Sequence, residues 1–102
     1  MKVKVARVAD ITPGEGHVRR VEDVRVALFN IGGRIFCIED VCTHDDGPLA
    51  EGTLDGGVIQ CPRHGARFNV TTGAVLSMPA PTPVRTFAVE IKDGDVYVLL
   101  ED

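Results

Sequence analysis

Turn-forming dipeptides divide this chain into short segments, and this division constrains its fold more than any other feature of the sequence. Gly32-Gly33, Gly56-Gly57, Thr72-Gly73 and Asp93-Gly94 each separate two short runs of apolar or alternating residues. A turn of this kind between two alternating runs is typical of a β-hairpin. No segment repeats its apolar residues at helical spacing. The sequence therefore predicts an all-β fold.

The runs between the turns predict short strands, clearest where Val24, Val26 and Leu28 alternate with Arg25 and its neighbours. Nine strands are predicted, at roughly 3–8, 17–20, 24–30, 34–39, 58–61, 67–70, 74–77, 84–91 and 95–100. Residues 40–57 and 77–83 are predicted to be longer irregular loops, which often carry function. So many short strands favour a small antiparallel sandwich.

Length and charge limit the remaining possibilities. With 102 residues, the chain is long enough for one core and too short for two, so a single domain spanning 1–102 is expected. It contains no apolar stretch of the ~20 residues needed to cross a bilayer and no signal-peptide pattern, so we expect a cytoplasmic protein without membrane association. A net charge of -4 argues against binding nucleic acid.

Two Cys/His pairs form the most informative motif. Cys42 and His44 are separated by one residue, and after sixteen intervening residues Cys61 and His64 are separated by two. Nearby glycine and proline residues predict that both pairs lie at loop tips. Two sulfur and two imidazole donors suit zinc or an iron-sulfur cluster and suit calcium or magnesium poorly.

The spacing favours a cluster over zinc. Zinc sites normally separate paired ligands by two to four residues, and the single residue between Cys42 and His44 is awkward for one shared ion. A 2Fe-2S cluster with Cys42 and Cys61 on one iron, and His44 and His64 on the other, gives each loop one ligand for each metal. Zinc remains the alternative, as a structural ion in an interaction module.

The third cysteine and third histidine are predicted to lie outside this site. Cys37 falls within the predicted strand at 34–39, where a small buried residue is the ordinary role of cysteine. His17 follows the polar segment 13–16 and is expected to be a solvated surface histidine. A mononuclear iron of the kind found in oxygenases typically needs two histidines and a carboxylate, and only His17 remains beside the cluster ligands. We therefore expect no catalytic centre.

The segments Cys42-Thr43-His44 and Cys61-Pro62-Arg63-His64-Gly65, followed by Phe68 and Thr72-Gly73, resemble those of Rieske iron-sulfur proteins. The resemblance implies one 2Fe-2S cluster held between two loops of a cluster-binding subdomain at roughly 40–80. Met78-Pro79-Ala80 stands where the family places a proline loop over the cluster. The two histidines are expected at the exposed tip.

The resemblance is to the soluble bacterial type of Rieske ferredoxin. Respiratory members carry a further disulfide-forming pair of cysteines, for which this chain has Gly47 and Arg63. They also carry serine and tyrosine hydroxyls that donate hydrogen bonds to sulfur, for which this chain has Ala66 and Phe68. Without those bonds the reduced state is less stabilised, so we expect a reduction potential near the low end of the Rieske range, about -150 mV.

The family resemblance implies an electron carrier that is not itself an enzyme. It would accept electrons from a flavin-dependent reductase and pass them to a terminal oxygenase, docking transiently at the tip formed by His44 and His64. The alternative is a fixed small subunit of a larger oxidoreductase, such as a nitrite reductase. Acidic residues of the first loop, with Asp45 and Asp46 foremost, are candidates for steering a basic partner.

Overall fold

The computed structural model of the chain describes residues 1–42, 47–62, 65–77 and 82–100. These residues form ten strands and one 3-10 helix. The strands are β1 (Lys2–Arg7), β2 (His17–Val21), β3 (Val24–Ile31), β4 (Arg34–Glu39), β5 (Thr53–Asp55), β6 (Val58–Gln60), β7 (Arg67–Asn69), β8 (Val75–Ser77), β9 (Thr86–Lys92) and β10 (Asp95–Leu99), and the helix is Val8–Asp10.

The strands form two sheets, and every pairing between neighbouring strands is antiparallel. The large sheet has the order β1-β10-β9-β4-β3-β2, and the small sheet has the order β5-β6-β7-β8. Each predicted glycine turn joins a hairpin: β3 to β4, β5 to β6, β7 to β8 and β9 to β10. The small sheet is therefore a continuous meander of four very short strands.

Strand β3 is buried on both faces, and this explains how the two sheets are held together. Its inner residues Val26 and Leu28 belong to one hydrophobic cluster, while Ala27 and Phe29 belong to a second. The second cluster also contains Ile59 and Phe68 of the small sheet. A strand covered on both sides reads as a continuous apolar run, as the segment 26–29 does.

Strand β4 divides its residues in the same way. Cys37 faces the cluster of the large sheet, and Ile38 faces the cluster shared with the small sheet. The pair β3 and β4 therefore forms the platform on which the small sheet packs. Chain segments that leave the end of β4 enter the space beside the small sheet.

The all-β antiparallel fold is as predicted, with two corrections. The predicted loop at 40–57 contains strand β5, which pairs with β6 across Gly56-Gly57. Its three residues, Thr53, Leu54 and Asp55, are too few to show a period of two, although the glycine turn beside them indicated a hairpin with two arms.

The second correction concerns the end of the first strand. Residues Val8–Asp10 form a 3-10 turn, where a strand was predicted as far as residue 8 and no helical segment was expected. The Asp10 carboxylate accepts a hydrogen bond from the Arg7 backbone N–H at 3.1 Å, and the Ile11 N–H donates to the Val8 carbonyl at 3.1 Å. A local side-chain bond of this kind ends the strand pairing.

Candidate metal centre

Cys42 and Cys61 lie in one buried cluster, although they follow strands of different sheets. Cys42 follows β4 of the large sheet, and Cys61 directly follows β6 of the small sheet. Both belong to the hydrophobic cluster shared by the two sheets, and neither has appreciable exposure to solvent. The fold thus brings together the two predicted thiol ligands.

The backbone turns at these two cysteines match. The Cys42 N–H donates to the Gly47 carbonyl at 2.6 Å, and the Cys61 N–H donates to the Ala66 carbonyl at 2.7 Å. Each bond joins a cysteine to the residue five positions later, so each loop closes at its own cysteine. In the second loop Gly65 has a φ of 79°, a backbone conformation that glycine adopts without steric cost.

A close backbone approach connects the two loops. A Cβ atom on Gly52 would overlap the carbonyl oxygen of Gln60, the residue that precedes Cys61. Only glycine allows the return arm of the first loop to lie this near the start of the second. The positions of Cys42 and Cys61 are therefore coupled through the backbone.

The surroundings of the two cysteines are apolar. Leu49, Ala66 and Phe68 are fully buried and share their cluster. Neither Ala66 nor Phe68 carries a hydroxyl group, so neither side chain can donate a hydrogen bond to sulfur.

The two predicted histidine ligands, His44 and His64, lie outside the described residues. So do the rest of the segments 43–46, 63–64 and 78–81, which include Asp45, Asp46, Arg63 and the predicted proline loop. Within the described part of the chain, no group of three or more metal-binding side chains occurs. The two buried thiols fit the sulfur half of a 2Fe-2S cluster, because soft thiolates suit iron-sulfur chemistry and both cysteines lie in the same apolar cluster.

Cys37 lies in the core, as predicted, on the opposite face of β4 from the shared cluster. It contacts the interior of the large sheet and is buried. Burial raises the pKa of its thiol from 9.0 to about 12, because a thiolate there would lose its hydration. Cys37 is therefore a protonated core residue at physiological pH.

His17 was predicted to be a solvated surface histidine, and it is half-buried, with 17% of its side chain accessible. Its Nε2 accepts a hydrogen bond from the Thr12 N–H at 3.2 Å. The ring fastens the loop between Ile11 and β2. The preceding residue, Gly16, packs so closely against Phe29 and Ala50 that a Cβ atom there would be crowded.

One residue close to the candidate centre was missed in the sequence. Asp40 is buried, and its carboxylate contacts the backbone of Leu49 and Ala50 in the return arm of the first loop. In the sequence it is the second of two consecutive acidic residues at a strand end, a pattern that normally indicates solvent exposure. No signal in a single sequence separates Asp40 from the exposed acids nearby.

Three charged side chains in or beside the small sheet are exposed. These are Glu51, Asp55 and Arg67, and among the residues described none of the three forms an ion pair. Exposed charges without an ion-pair partner are available for long-range attraction to another protein.

Comparison with known proteins decides the family. The model of the Rieske [2Fe-2S] domain matches residues 1–88. The chain belongs to the Rieske [2Fe-2S] family. Its cofactor is accordingly one 2Fe-2S cluster, and the predicted family resemblance is confirmed.

Ferredoxins are similar to this Rieske protein over nearly its whole length. Ferredoxin CarAc of Metapseudomonas resinovorans is 45% identical over 97 residues, which cover 94% of this chain and 91% of the relative. The 3-phenylpropionate/cinnamic acid dioxygenase ferredoxin subunit of Escherichia coli (strain K12) is 35% identical over 102 residues, covering 99% and 95%. The chain is thus an electron-transfer component and not itself an enzyme.

A solved structure extends this similarity to three dimensions. A chain in the complex of reduced oxygenase and oxidized ferredoxin in carbazole 1,9a-dioxygenase superposes with a TM-score of 0.89 at 44% identity, covering 95% of this Rieske chain and 91% of that chain. The all-β sandwich described above is therefore the fold of solved Rieske ferredoxins.

Proposed function

We propose that this Rieske ferredoxin holds its cluster with Cys42 and Cys61 on one iron and His44 and His64 on the other. The matched loop closures at the two cysteines carry this proposal, because they give two equivalent loops a common buried base. The histidine assignment rests on the sequence spacing. The cluster, when bound, supplies one reversible electron.

The surroundings of the cysteines support a carrier of low potential. Ala66 and Phe68 stand where a hydroxyl donor would stabilise the reduced state. Two neutral imidazoles in place of two thiolates keep the potential above that of all-cysteine clusters. We expect a value of about -150 mV.

We propose a flavin-dependent reductase as the electron donor and a terminal oxygenase as the acceptor, both docking transiently at the tip that carries His44 and His64. The relative from the carbazole dioxygenase system, which forms a complex with its oxygenase, supports the acceptor. The reductase is proposed on the family resemblance alone. Weak redox complexes bury little surface, which allows one face to serve both partners in turn.

The cellular setting and domain organisation are also proposed. Among the described residues, none lies in a helix long and apolar enough to cross a membrane. We propose that the carrier works in the cytoplasm, where its cysteines stay reduced. Its organisation as one domain over 1–102 stays a prediction, with the family match covering residues 1–88.

Metal analysis and paramagnetic resonance of purified protein test the ligand set. We expect two irons and two acid-labile sulfides per chain and a resonance signal on reduction. His64→Ala should lose that signal while the circular dichroism of the sheets is kept, because the strands pack through apolar cores. His17→Gln is the matched control and should retain full iron. A colourless protein with one zinc would overturn the proposal.

A second measurement separates a mobile carrier from a fixed subunit. Stopped-flow mixing of the reduced protein with a terminal oxygenase should give second-order electron transfer, and the native protein should elute alone on size exclusion. Co-elution of the native protein with a larger enzyme in every preparation would instead support the alternative of a fixed subunit.

A further inference from the structure

Asp40 is the only buried charged residue within the described part of the chain. Its side chain has 0% exposure, and it lies two residues before Cys42. Burying an isolated carboxylate costs far more free energy than a folded domain can spare, so such a group must be paired or hydrogen-bonded. Its partners therefore indicate what it does.

One carboxylate oxygen holds the return arm of the first cysteine loop. Asp40 Oδ1 accepts hydrogen bonds from the Leu49 N–H at 2.8 Å and from the Ala50 N–H at 2.7 Å. The loop that begins after Asp40 is closed first by the bond between Cys42 and Gly47, and then by the bonds from Leu49 and Ala50 to the Asp40 carboxylate. Asp40 thus closes a second ring outside the bond between Cys42 and Gly47.

The other oxygen faces a counter-charge on the large sheet. Arg25 Nε lies 3.0 Å from Asp40 Oδ2, and the Asp40 N–H donates to the Arg25 carbonyl at 2.8 Å. The two side chains differ in exposure, because 52% of the Arg25 side chain is accessible and none of the Asp40 side chain is. Solvent therefore screens the guanidinium charge more strongly than the carboxylate charge.

We propose that Asp40 and Arg25 are a pair of positioning residues that fix the Cys42 loop and set the reduction potential of the cluster. This inference rests on the proposed function. The carboxylate disfavours the added electron, and the guanidinium partly offsets it. Because the negative member is the less screened of the two, the pair as a whole lowers the potential.

A buried ion pair contributes little to stability in comparison with apolar side chains of similar size. Loop geometry alone would require only two acceptors for the amides of Leu49 and Ala50, and an asparagine oxygen could accept both bonds. A full negative charge with a balancing arginine is therefore better explained by its effect on the electron than by its effect on the fold.

Reduction potentials of the holoprotein variants test the charge. Asp40→Asn keeps the acceptor oxygen and removes the charge, so it should raise the potential, shifting the redox equilibrium on the order of tenfold. Arg25→Gln removes the counter-charge and should lower the potential. The double variant should return towards the wild type, and Arg25→Lys should stay near it.

Arg20→Gln is the matched control, because Arg20 lies directly opposite Arg25 in the β2–β3 register and forms no ion pair among the described residues. It should shift the potential by less than half as much as Arg25→Gln. Shifts of the same sign in Asp40→Asn and Arg25→Gln, or no shift beyond that of Arg20→Gln, would overturn the electrostatic part.

Amide hydrogen exchange tests the positioning part without reference to the electron. In Asp40→Ala, the backbone amides of Leu49 and Ala50 should exchange at least tenfold faster, while Asp40→Asn should keep most of their protection. Equal protection in both variants would overturn the positioning role. A wild-type protein that lacks the iron-sulfur signal would refute the proposed function instead, so the two failures are distinguishable.

Discussion

Cys37 and Cys42 carry the same side chain and have different fates because they lie on different sides of the platform formed by β3 and β4. Cys37 faces the interior of the large sheet, where burial raises the pKa of its thiol to about 12. Cys42 lies in the cluster shared with the small sheet, at the base of a closed loop. The two cysteines differ in the side of the platform that each side chain faces and not in their chemistry, and this difference separates the core cysteine from the candidate metal ligand.

Because the pKa of Cys37 is raised, the free energy of unfolding should decrease with pH in the alkaline range. The unfolded thiol ionises near pH 9.0, while the folded thiol stays protonated to about pH 12. The unfolded state therefore loses a proton first, and the stability contributed by the neutral thiol is complete below pH 9 and declines as the pH rises towards 12. The slope approaches about 1.4 kcal/mol per pH unit.

A comparison with Cys37→Val measures this contribution, because valine keeps the burial and cannot ionise. Below pH 8.5 the difference in denaturation midpoint between the two proteins should be constant. From pH 9 to 10.5 the wild type should lose stability faster than the variant, as followed by circular dichroism in urea. Parallel pH profiles would contradict the burial of a neutral thiol.

The sequence predicts the burial of some residues and not of others. Burial of Cys37 could be predicted, because it falls within an apolar strand run, and the spacing of the Cys/His pairs identified the family motif. The settings of His17 and Asp40 could not be predicted. His17 is half-buried and accepts a hydrogen bond from Thr12 five residues earlier, while Asp40 is buried and accepts hydrogen bonds from Leu49 and Ala50 across the first loop, and no local pattern of polar and apolar residues indicates these partners.

At the level of elements, strand β3 supports both halves of the molecule. Alternate residues of one strand enter two separate hydrophobic clusters, so neighbouring positions affect different parts of the protein. The alternation in the sequence predicted the strand correctly. It did not predict coverage of both faces, because the packing of the small sheet on β3 depends on contacts between segments far apart in the sequence, although three of the four covering strands were predicted.

Neighbouring substitutions in β3 should therefore have separable effects. Phe29→Ala removes a buried ring from the cluster that contains Cys42 and Cys61 and should lower the free energy of unfolding by about 3–5 kcal/mol. Leu28→Ala removes one buried side chain from the large-sheet cluster and should lower it by about 2–5 kcal/mol. Phe29→Ala should release iron in denaturant before the large sheet unfolds. Leu28→Ala should lose both together.

Absorbance of the iron-sulfur centre and far-ultraviolet circular dichroism, recorded on the same urea titration, measure the two events. In the wild type and in Leu28→Ala the two curves should coincide. Coincident curves in Phe29→Ala as well would show that the two clusters unfold as a single unit and would contradict the division proposed for β3.

At the level of the whole molecule, the sheet that supports the structure is distinct from the loops that carry the candidate metal ligands. The large sheet supplies the platform, the loops that follow β4 and β6 carry Cys42 and Cys61, and the exposed charges Glu51, Asp55 and Arg67 lie in or beside the small sheet. The overall class, the family and the carrier role follow from the sequence. The packing of the small sheet on β3 and β4 is a long-range property that local patterns do not encode.

The net charge of -4 and the acids of the first loop predict attraction to a basic reductase surface. Asp45→Lys combined with Asp46→Lys should slow reduction by about tenfold at low salt, because it reverses the charges that steer the encounter. The difference should shrink as added salt shortens the range of electrostatic attraction. Stopped-flow reduction at several salt concentrations measures both effects.

Asp46→Asn and Asp93→Asn form a matched pair of single-charge controls. Asp93 lies in the β9–β10 turn, and β9 begins beside the end of β4 that leads to Cys42, so this turn is at the far end of the large sheet. Asparagine also tolerates the φ of 54° at that position. If attraction is local to the first loop, Asp46→Asn should slow reduction and Asp93→Asn should not. Equal effects would mean that net charge alone governs the encounter, and the proposed docking face would lose its electrostatic support.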